Sequence, residues 1–124
     1  MEKSIFEKII ANEIPSLKVY EDNEFIAILD AYPKQMGHTL VIPKKKVKDF
    51  LSEDVDTQKK LIELVSVLSK KIKKNLGASG VKILTNIGES SGQVIFHTHV
   101  HIIPYYDKNL MKENNENILK RILK

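Results

Sequence analysis

The chain has 124 residues, of which 42% are hydrophobic and 29% are charged, and its net charge is +4. This length suffices for one packed domain, and these fractions exclude a disordered polypeptide. The absence of cysteine excludes disulfides and thiolate metal sites, and no apolar stretch approaches the roughly 20 residues of a membrane helix.

The positive charge comes almost entirely from lysine, because Arg121 is the only arginine. Arginine is the usual bidentate clamp for phosphate, so we expect a phosphate site here to use imidazoles, amides and backbone N–H groups. The lysines cluster without interleaved aromatic residues, which favours a solvated surface over a nucleic-acid interface. The first ten residues lack the apolar core of a secretory signal, so we expect a cytoplasmic protein with no membrane contact.

The first half of the chain predicts one short helix and three strands. Ser4 and Glu7 have the spacing of a capping box at the start of a helix over 4–12. Segment 17–30 predicts two strands around a turn at 21–24, because apolar runs flank a polar tetrapeptide. A loop then leads to a third strand over 38–43, which Pro43 ends.

The second half predicts a long helix, two strands and a terminal helix. Gly77 is placed to end the long helix, which we expect over about 52–76. The apolar residues of this helix recur at helical spacing: Leu61, Leu64, Val65, Leu68 and Ile72. Strands are expected over 81–86 and 93–104, with a polar loop between them. The tail over 114–124 predicts a helix with four apolar residues that need a surface to cover, Ile118, Leu119, Ile122 and Leu123.

The predicted order α-β-β-β-α-β-β-α is typical of an α+β fold with a mainly antiparallel sheet of about five strands. The chain contains no internal repeat and no linker-like segment. We therefore expect residues 1–124 to form a single domain.

Three of the four histidines alternate with other residues in the segment HTHVH over 97–101. Alternate side chains of a β-strand share one face, so we expect a presented row of imidazoles whose opposite face packs on the long helix. Imidazole has a reference pKa of about 6.5, which suits a nucleophile or proton carrier near pH 7. The row predicts either catalysis at a phosphoryl group or a zinc site completed by His38.

The segment HTHVHIIP over 97–104 resembles the histidine triad motif, with Thr98 standing at its first apolar position. Further similarity lies in SIFEKIIANEIPSLKVYED over 4–22, LDAYPKQMGHTLVIPKK over 29–45 and TNIGESSGQ over 85–93. The chain thus resembles the histidine triad (HIT) family, and within it the Hint branch of histidine triad nucleotide-binding proteins. The resemblance covers about 3–106 and leaves 107–124 as a C-terminal tail.

This resemblance implies a HIT-like fold that dimerises by joining two sheets. It also implies hydrolysis of purine nucleoside phosphoramidates and related adenylates, through a nucleotidyl-histidine intermediate that releases a nucleoside monophosphate such as AMP. His99 matches the nucleophile, His101 matches the residue at the phosphate and the leaving group, and His97 and His38 match supporting residues. Asp30 matches the acid that holds the ribose hydroxyls. The matched base pocket and phosphate loop comprise Phe6, Ile9, Ile28, Leu29, Asn86, Gly92, Gln93 and Val94.

Several positions depart from the family pattern. Many bacterial members hold a structural zinc through four positions that here carry Ser4, Glu7, Lys46 and His97. Since only the histidine remains of those ligands, we expect no metal and no cofactor. The transferase branch has glutamine where this chain has His101, which favours a hydrolase. Two other hypotheses stay open: a nucleotide-binding adaptor with weak catalysis, and a zinc-dependent hydrolase.

Overall fold

An antiparallel sheet forms the centre of the protein, whose computed structural model describes residues 3–108 and 110–124. The strands are β1 (Lys18–Glu21), β2 (Phe25–Leu29), β3 (Thr39–Pro43), β4 (Gly80–Leu84) and β5 (Val100–Tyr105). They lie in the order β1-β2-β3-β5-β4, and every neighbouring pair is antiparallel. The predicted α+β fold is confirmed.

The helices begin and end at local sequence signals. They are α1 (Ile5–Ile10), α2 (Val55–Leu76) and α3 (Asn115–Ile122). The predicted capping box starts α1, with Ser4 Oγ accepting from Glu7 N at 3.2 Å and Glu7 Oε1 accepting from Ser4 N at 3.0 Å. Asp54 caps α2, and Gly77 ends it at φ +68°, a conformation that favours glycine. Within the described residues, no helix is long and apolar enough to cross a membrane.

The two faces of the sheet bury different side chains, because neighbouring strand residues point to opposite sides. The face covered by α2 and α3 buries one parity of the strands: Phe25, Ala27, Leu29, Val41, Val100 and Ile102. The other face buries the opposite parity beside α1: Ile26, Ile28, Leu40 and Ile42. The long helix closes the first face, whereas α1 has six residues and covers only part of the second.

The C-terminal helix packs on its own chain. Ile118 and Ile122 have no exposed surface and belong to the same apolar cluster as Ile72 of α2. Asn75 Nδ2 on α2 donates to the Ile122 carbonyl at 2.7 Å, which fastens the end of α3. Ile118, Leu119 and Ile122 therefore pack on their own chain, whereas Leu123 remains 49% exposed.

The last strand begins later than the sequence predicts. β5 starts at Val100, so His101 is the only triad histidine inside it, opposite Leu40 of β3 and Leu84 of β4. The preceding residues bond to the loop after β3 instead: Thr98 N donates to the Val47 carbonyl at 2.9 Å. The predicted strand over 93–104 is therefore wrong for its first seven residues, 93–99.

Candidate active site

A cavity of about 890 Å³ lies on the sheet face that α1 covers incompletely. Its lining contains ten of the predicted site residues: Phe6, Ile9, Ile28, Leu29, Asp30, Asn86, Gly92, Val94, His99 and His101. His38, His97 and Gln93 lie outside this lining and bond to the groups around it. An apolar wall, the carboxylates of Asp30 and Glu116 and two imidazoles thus share a single cavity.

His99 is held so that one ring nitrogen is tied to the backbone. Its Nδ1 lies 2.8 Å from the carbonyl oxygen of His97. A carbonyl oxygen only accepts hydrogen bonds, so Nδ1 carries the proton and Nε2 keeps its lone pair. Burial lowers the pKa of His99 below its ordinary value of 6.5. The ring is therefore neutral at pH 7 and has an unprotonated nitrogen in a residue that lines the cavity.

His38 sets the opposite tautomer in His101. The backbone N–H of Lys34 donates to His38 Nδ1 at 3.1 Å, so the proton of a neutral His38 lies on Nε2. That Nε2 is 3.0 Å from His101 Nδ1 and donates to it. The proton of His101 must then lie on its Nε2. The two histidines of the cavity wall thus differ: His99 offers a lone pair at Nε2 and His101 offers an N–H there.

Electrostatics keeps His101 and His38 neutral as well. Burial lowers the pKa of His101 to about 4, and the neighbouring His99 and His38 act in the same direction. Burial also lowers the pKa of His38, although the Asp30 carboxylate, whose Oδ2 is 3.7 Å from His38 Nε2, opposes this effect. In the protein without ligand, His38, His99 and His101 are therefore neutral at pH 7.

Asp30 comes directly after β2 and is anchored by its surroundings. Its Oδ1 accepts from the backbone N–H of Tyr32 at 2.9 Å, and its side chain remains 23% exposed. Asn115 Nδ2, at the start of α3, donates to the Asp30 backbone carbonyl at 3.0 Å. Asn115 and Glu116 also line the cavity. The sequence does not predict that either residue lines the cavity, because the apolar pattern of the tail indicates a helix but not the position of its first turn in the fold.

The loop before the triad is held in shape by hydrogen bonds from two of its side chains, Asn86 and Gln93. Gly92 adopts φ +100°, which a residue with a side chain rarely adopts, and Asn86 Nδ2 donates to the Ser91 carbonyl at 2.7 Å. Gln93 is buried outside the cavity lining, where its Nε2 donates to the Lys48 carbonyl at 2.8 Å and its Oε1 accepts from Gly88 N at 2.8 Å. Gln93 thus holds this loop in place.

Of the four positions that match zinc ligands in the family resemblance, His97 is the one that still carries a histidine. It is fully buried, and its Nε2 donates to the Pro43 carbonyl at 2.6 Å. The other residues at the zinc positions meet as an ion pair, with Lys46 Nζ 3.4 Å from Glu7 Oε1. A lysine ammonium beside these positions opposes a second cation. This pair supports the prediction, still to be tested, that no structural zinc binds.

A second group of possible metal ligands does not fit a metal. Ligand atoms of Asp30, His38 and His101 all lie within 4.8 Å of one another. A histidine that binds a metal through one nitrogen normally donates its other N–H to an acceptor. His38 Nδ1 instead faces a donor, the backbone N–H of Lys34. Metal binding at His38 Nε2 would set two hydrogens against each other, so we derive no metal-dependent step.

Comparisons with known proteins agree with this geometry. The family model for the HIT domain matches residues 11–108. Protein hit of Bacillus subtilis is 42% identical over 107 residues, which cover 86% of this chain and 74% of that protein. Adenylylsulfatase HINT3 of Arabidopsis thaliana is 38% identical over 107 residues, which cover 86% of this chain and 54% of that protein.

Solved structures also share this fold. The crystal structure of a hypothetical histidine triad nucleotide-binding protein from Sulfolobus tokodaii has a TM-score of 0.92 to this one at 42% identity, covering 97% of this chain and 89% of that chain. A family match over most of the chain, relatives above 30% identity and this shared fold lead to one conclusion. The protein belongs to the HIT domain family.

Proposed function

We propose that this protein hydrolyses purine nucleoside phosphoramidates and related adenylates, releasing the nucleoside monophosphate. One observation carries the proposal: His99 and His101 line one cavity as opposite tautomers. A lone pair on one imidazole can attack phosphorus, while the N–H of the other stabilises the charge that builds on the phosphoryl oxygens or the leaving atom. A relative that carries the name adenylylsulfatase supports the inclusion of adenylates.

The proposed reaction has two steps. His99 Nε2 forms a bond to the α-phosphorus while the bond to the leaving group breaks, and the His97 carbonyl stabilises the charged ring through Nδ1–H. An amine leaving group takes up a proton from solvent as it departs. Water then attacks the same phosphorus, its proton passes to solvent, and the phosphorus–nitrogen bond to His99 breaks to release the monophosphate. His101 donates a hydrogen bond from Nε2 in both steps. The chain itself supplies every group named here, so the proposal needs no cofactor.

The same cavity accounts for recognition of the nucleoside. Phe6, Ile9 and Ile28 form an apolar wall of the kind that a purine ring can pack on. Asp30 keeps a partly exposed carboxylate that can accept from two adjacent ribose hydroxyls. The backbone N–H of Val94 can donate to a phosphate. Gly92, whose own N–H donates to the Glu89 carbonyl at 2.9 Å, has no side chain to obstruct that approach. We propose these residues as the base, ribose and phosphate contacts, respectively.

Turnover of adenosine 5′-phosphoramidate and of adenylyl sulfate, with and without a chelator, tests the proposal. We expect AMP as product, with equal rates in both conditions. A quench in alkali or denaturant, followed by mass spectrometry, should find a nucleotidyl adduct on the peptide containing His99. Acid must be avoided because it hydrolyses the phosphorus–nitrogen bond. Chelator-sensitive turnover, or an adduct on His97 or His101, would contradict the mechanism, and binding without turnover would favour the adaptor hypothesis.

We also propose that two copies join through the edge of the sheet at β4. This strand is the last in the sheet order, so one of its edges has unpaired backbone groups. Ile83 on β4 is 49% exposed, which leaves apolar surface at that edge. Light scattering across a concentration series should report about twice the chain mass, as in a two-fold dimer. Ile83→Glu should shift the protein towards monomer, whereas Ile62→Glu, on α2, serves as the control.

A further inference from the structure

The end of the C-terminal tail, from residue 113 on, lies beyond the residues that the family model matches and contacts the loop between β2 and β3. This loop begins with Asp30 and ends with His38, two of the candidate site residues. Asn115 Nδ2 donates to the Asp30 carbonyl at 3.0 Å, and the backbone N–H of Glu113 donates to the sulfur of Met36 at 3.4 Å. The tail therefore holds the loop at two separate points.

The helix that carries Asn115 is fixed by contacts away from the cavity. Ile118 and Ile122 have no exposed surface and pack in the core on the helix face of the sheet. Arg121 Nη2 donates to the Leu76 carbonyl at the end of α2, at 3.3 Å. Because none of these contacts involves the cavity, the position of α3 does not depend on it. Asn115, the first residue of α3, thus has a fixed position from which its amide restrains the loop.

The carbonyl that Asn115 binds controls the geometry of the Asp30 side chain. Asp30 follows the last residue of β2, and within the described residues only the Asn115 amide donates to its carbonyl. Asp30 Oδ1 accepts from the backbone N–H of Tyr32 at 2.9 Å, which closes a tight turn. Rotation about the Cα–C bond of Asp30 would move its carbonyl and Tyr32 relative to the carboxylate and open that turn. A fixed donor on the carbonyl therefore keeps the carboxylate in place.

We infer that Asn115 is a positioning residue that holds the Asp30 carboxylate where it can bind the ribose hydroxyls. The inference rests on the proposed function and gives the C-terminal tail a part in it. A carboxylate that accepts from two adjacent hydroxyls must keep the orientation of its oxygens, and a group that is already in place loses less entropy when the ligand binds. Asn115 thereby increases the preference of the site for nucleotides that carry both ribose hydroxyls.

A ratio of two dissociation constants tests the inference. The ratio is the Kd of 2′,3′-dideoxy-AMP divided by the Kd of AMP, both measured by calorimetry. Asn115→Ala should lower this ratio about 3- to 10-fold, as expected for the loss of one neutral hydrogen bond. Asn115→Gln keeps the amide donor and should retain more of the preference than Asn115→Ala. Asn117→Ala makes the same change at an exposed position of α3 and should leave the ratio unchanged.

A double variant separates positioning from direct contact with the ribose. In Asp30→Asn, which has lost the carboxylate, the addition of Asn115→Ala should change the ratio no further. A further fall as large as that in the single variant would overturn the inference, because Asn115 would then bind the ribose itself. An unchanged ratio in Asn115→Ala alone would overturn it too.

Hydrogen exchange separates this inference from the proposed function, because it needs no nucleotide. Asn115→Ala should speed exchange in the peptide over 30–38, whereas Asn117→Ala should not. If the wild-type protein prefers AMP but Asn115→Ala leaves this exchange unchanged, the inference alone is wrong. If the wild-type protein does not prefer AMP over 2′,3′-dideoxy-AMP, the proposed recognition of ribose is wrong, and the inference is wrong with it.

Discussion

The two faces of the sheet bury similar apolar residues but are covered in different ways. On one face, the 22-residue α2 and the shorter α3 leave strand residues such as Ile102 without exposed surface. On the other face, the six-residue α1 leaves room for the cavity, and His38, His97 and His99 are each less than 10% exposed there. One face is apolar and closed, while the other buries polar groups beside open space.

This difference indicates that the sheet separates the apolar core, which stabilises the fold, from the proposed active site. Apolar burial on the helix face stabilises the fold without any need for polar partners. A buried imidazole is costly unless its nitrogens find partners, and the cavity face supplies most of these from backbone atoms. His97 Nδ1 is the exception, with no partner among the described residues. Four predictions test this separation.

The largest expected effect is on activity and comes from the cavity face. His99→Ala should reduce turnover of either substrate by several orders of magnitude, because it removes the nucleophile. AMP should still bind, and the urea midpoint should fall less than in a core variant, because the His99 ring packs edge-to-face on Phe6 but also lines the open cavity. Steady-state kinetics, calorimetry and urea titration measure the three quantities. Near-normal turnover would remove His99 from the mechanism.

The largest effect on stability should come from the helix face. Ile72→Ala should lower the free energy of unfolding by about 2–5 kcal/mol, because the residue is fully buried against the sheet. Turnover at a temperature where the variant is folded should stay close to that of the wild type. Ile62→Ala on the same helix is the matched control, since Ile62 is 49% exposed. If the folded Ile72→Ala variant lost most of its turnover, the helix face would also contribute to activity, and the two faces would not have separate roles.

Mild acid should lower the stability of the protein, because it favours protonation of the buried histidines on the cavity face. The pKa of His101 is about 4 in the folded protein against an ordinary 6.5, and those of His38, His97 and His99 are lowered as well, in each case chiefly by burial. Below pH 6.5 the unfolded chain therefore binds more protons than the folded one. The associated stability is fully present above pH 6.5 and is lost as pH falls towards 4.

The His101 shift alone corresponds to on the order of 3 kcal/mol. Urea titrations at about pH 7.5 and about pH 5 measure the early part of this loss, above the range in which most carboxylates titrate. His101→Asn should reduce the pH dependence, because its amide does not titrate there. Equal stability of the wild-type protein at both pH values would show that the imidazoles are not buried as described.

The smallest effect concerns nucleoside recognition. Asp30→Asn should weaken AMP binding by about 1–3 kcal/mol, the usual range for a lost hydrogen bond to a charged group. Binding of 2′,3′-dideoxy-AMP should weaken much less, since that ligand has no ribose hydroxyls to offer. Calorimetry with both ligands provides the comparison. Equal losses for the two would indicate that Asp30 acts through the fold, for example through its bond to Tyr32.

Local signals in the sequence were sufficient for the helices and for most of the sheet. The capping box at Ser4, the apolar spacing of α2 and the glycine at position 77 each act within a few residues, so they predict element ends directly. The alternation over 93–104 failed for a related reason. Bonds from Gln93 and Thr98 to the loop after β3 join residues 45 and 51 positions apart, and no local pattern reports such partners.

The sequence by itself determined which side chains the proposed chemistry uses: three alternating histidines, a fourth before β3, and one acid after β2. Only the tertiary structure decided what each imidazole can do. His101 offers an N–H because His38, 63 positions away, donates to its other nitrogen, and His97 is fixed by a carbonyl 54 positions away. Residue type sets the possible tautomers of a histidine, and the partner that folding brings to one nitrogen decides which of them is populated.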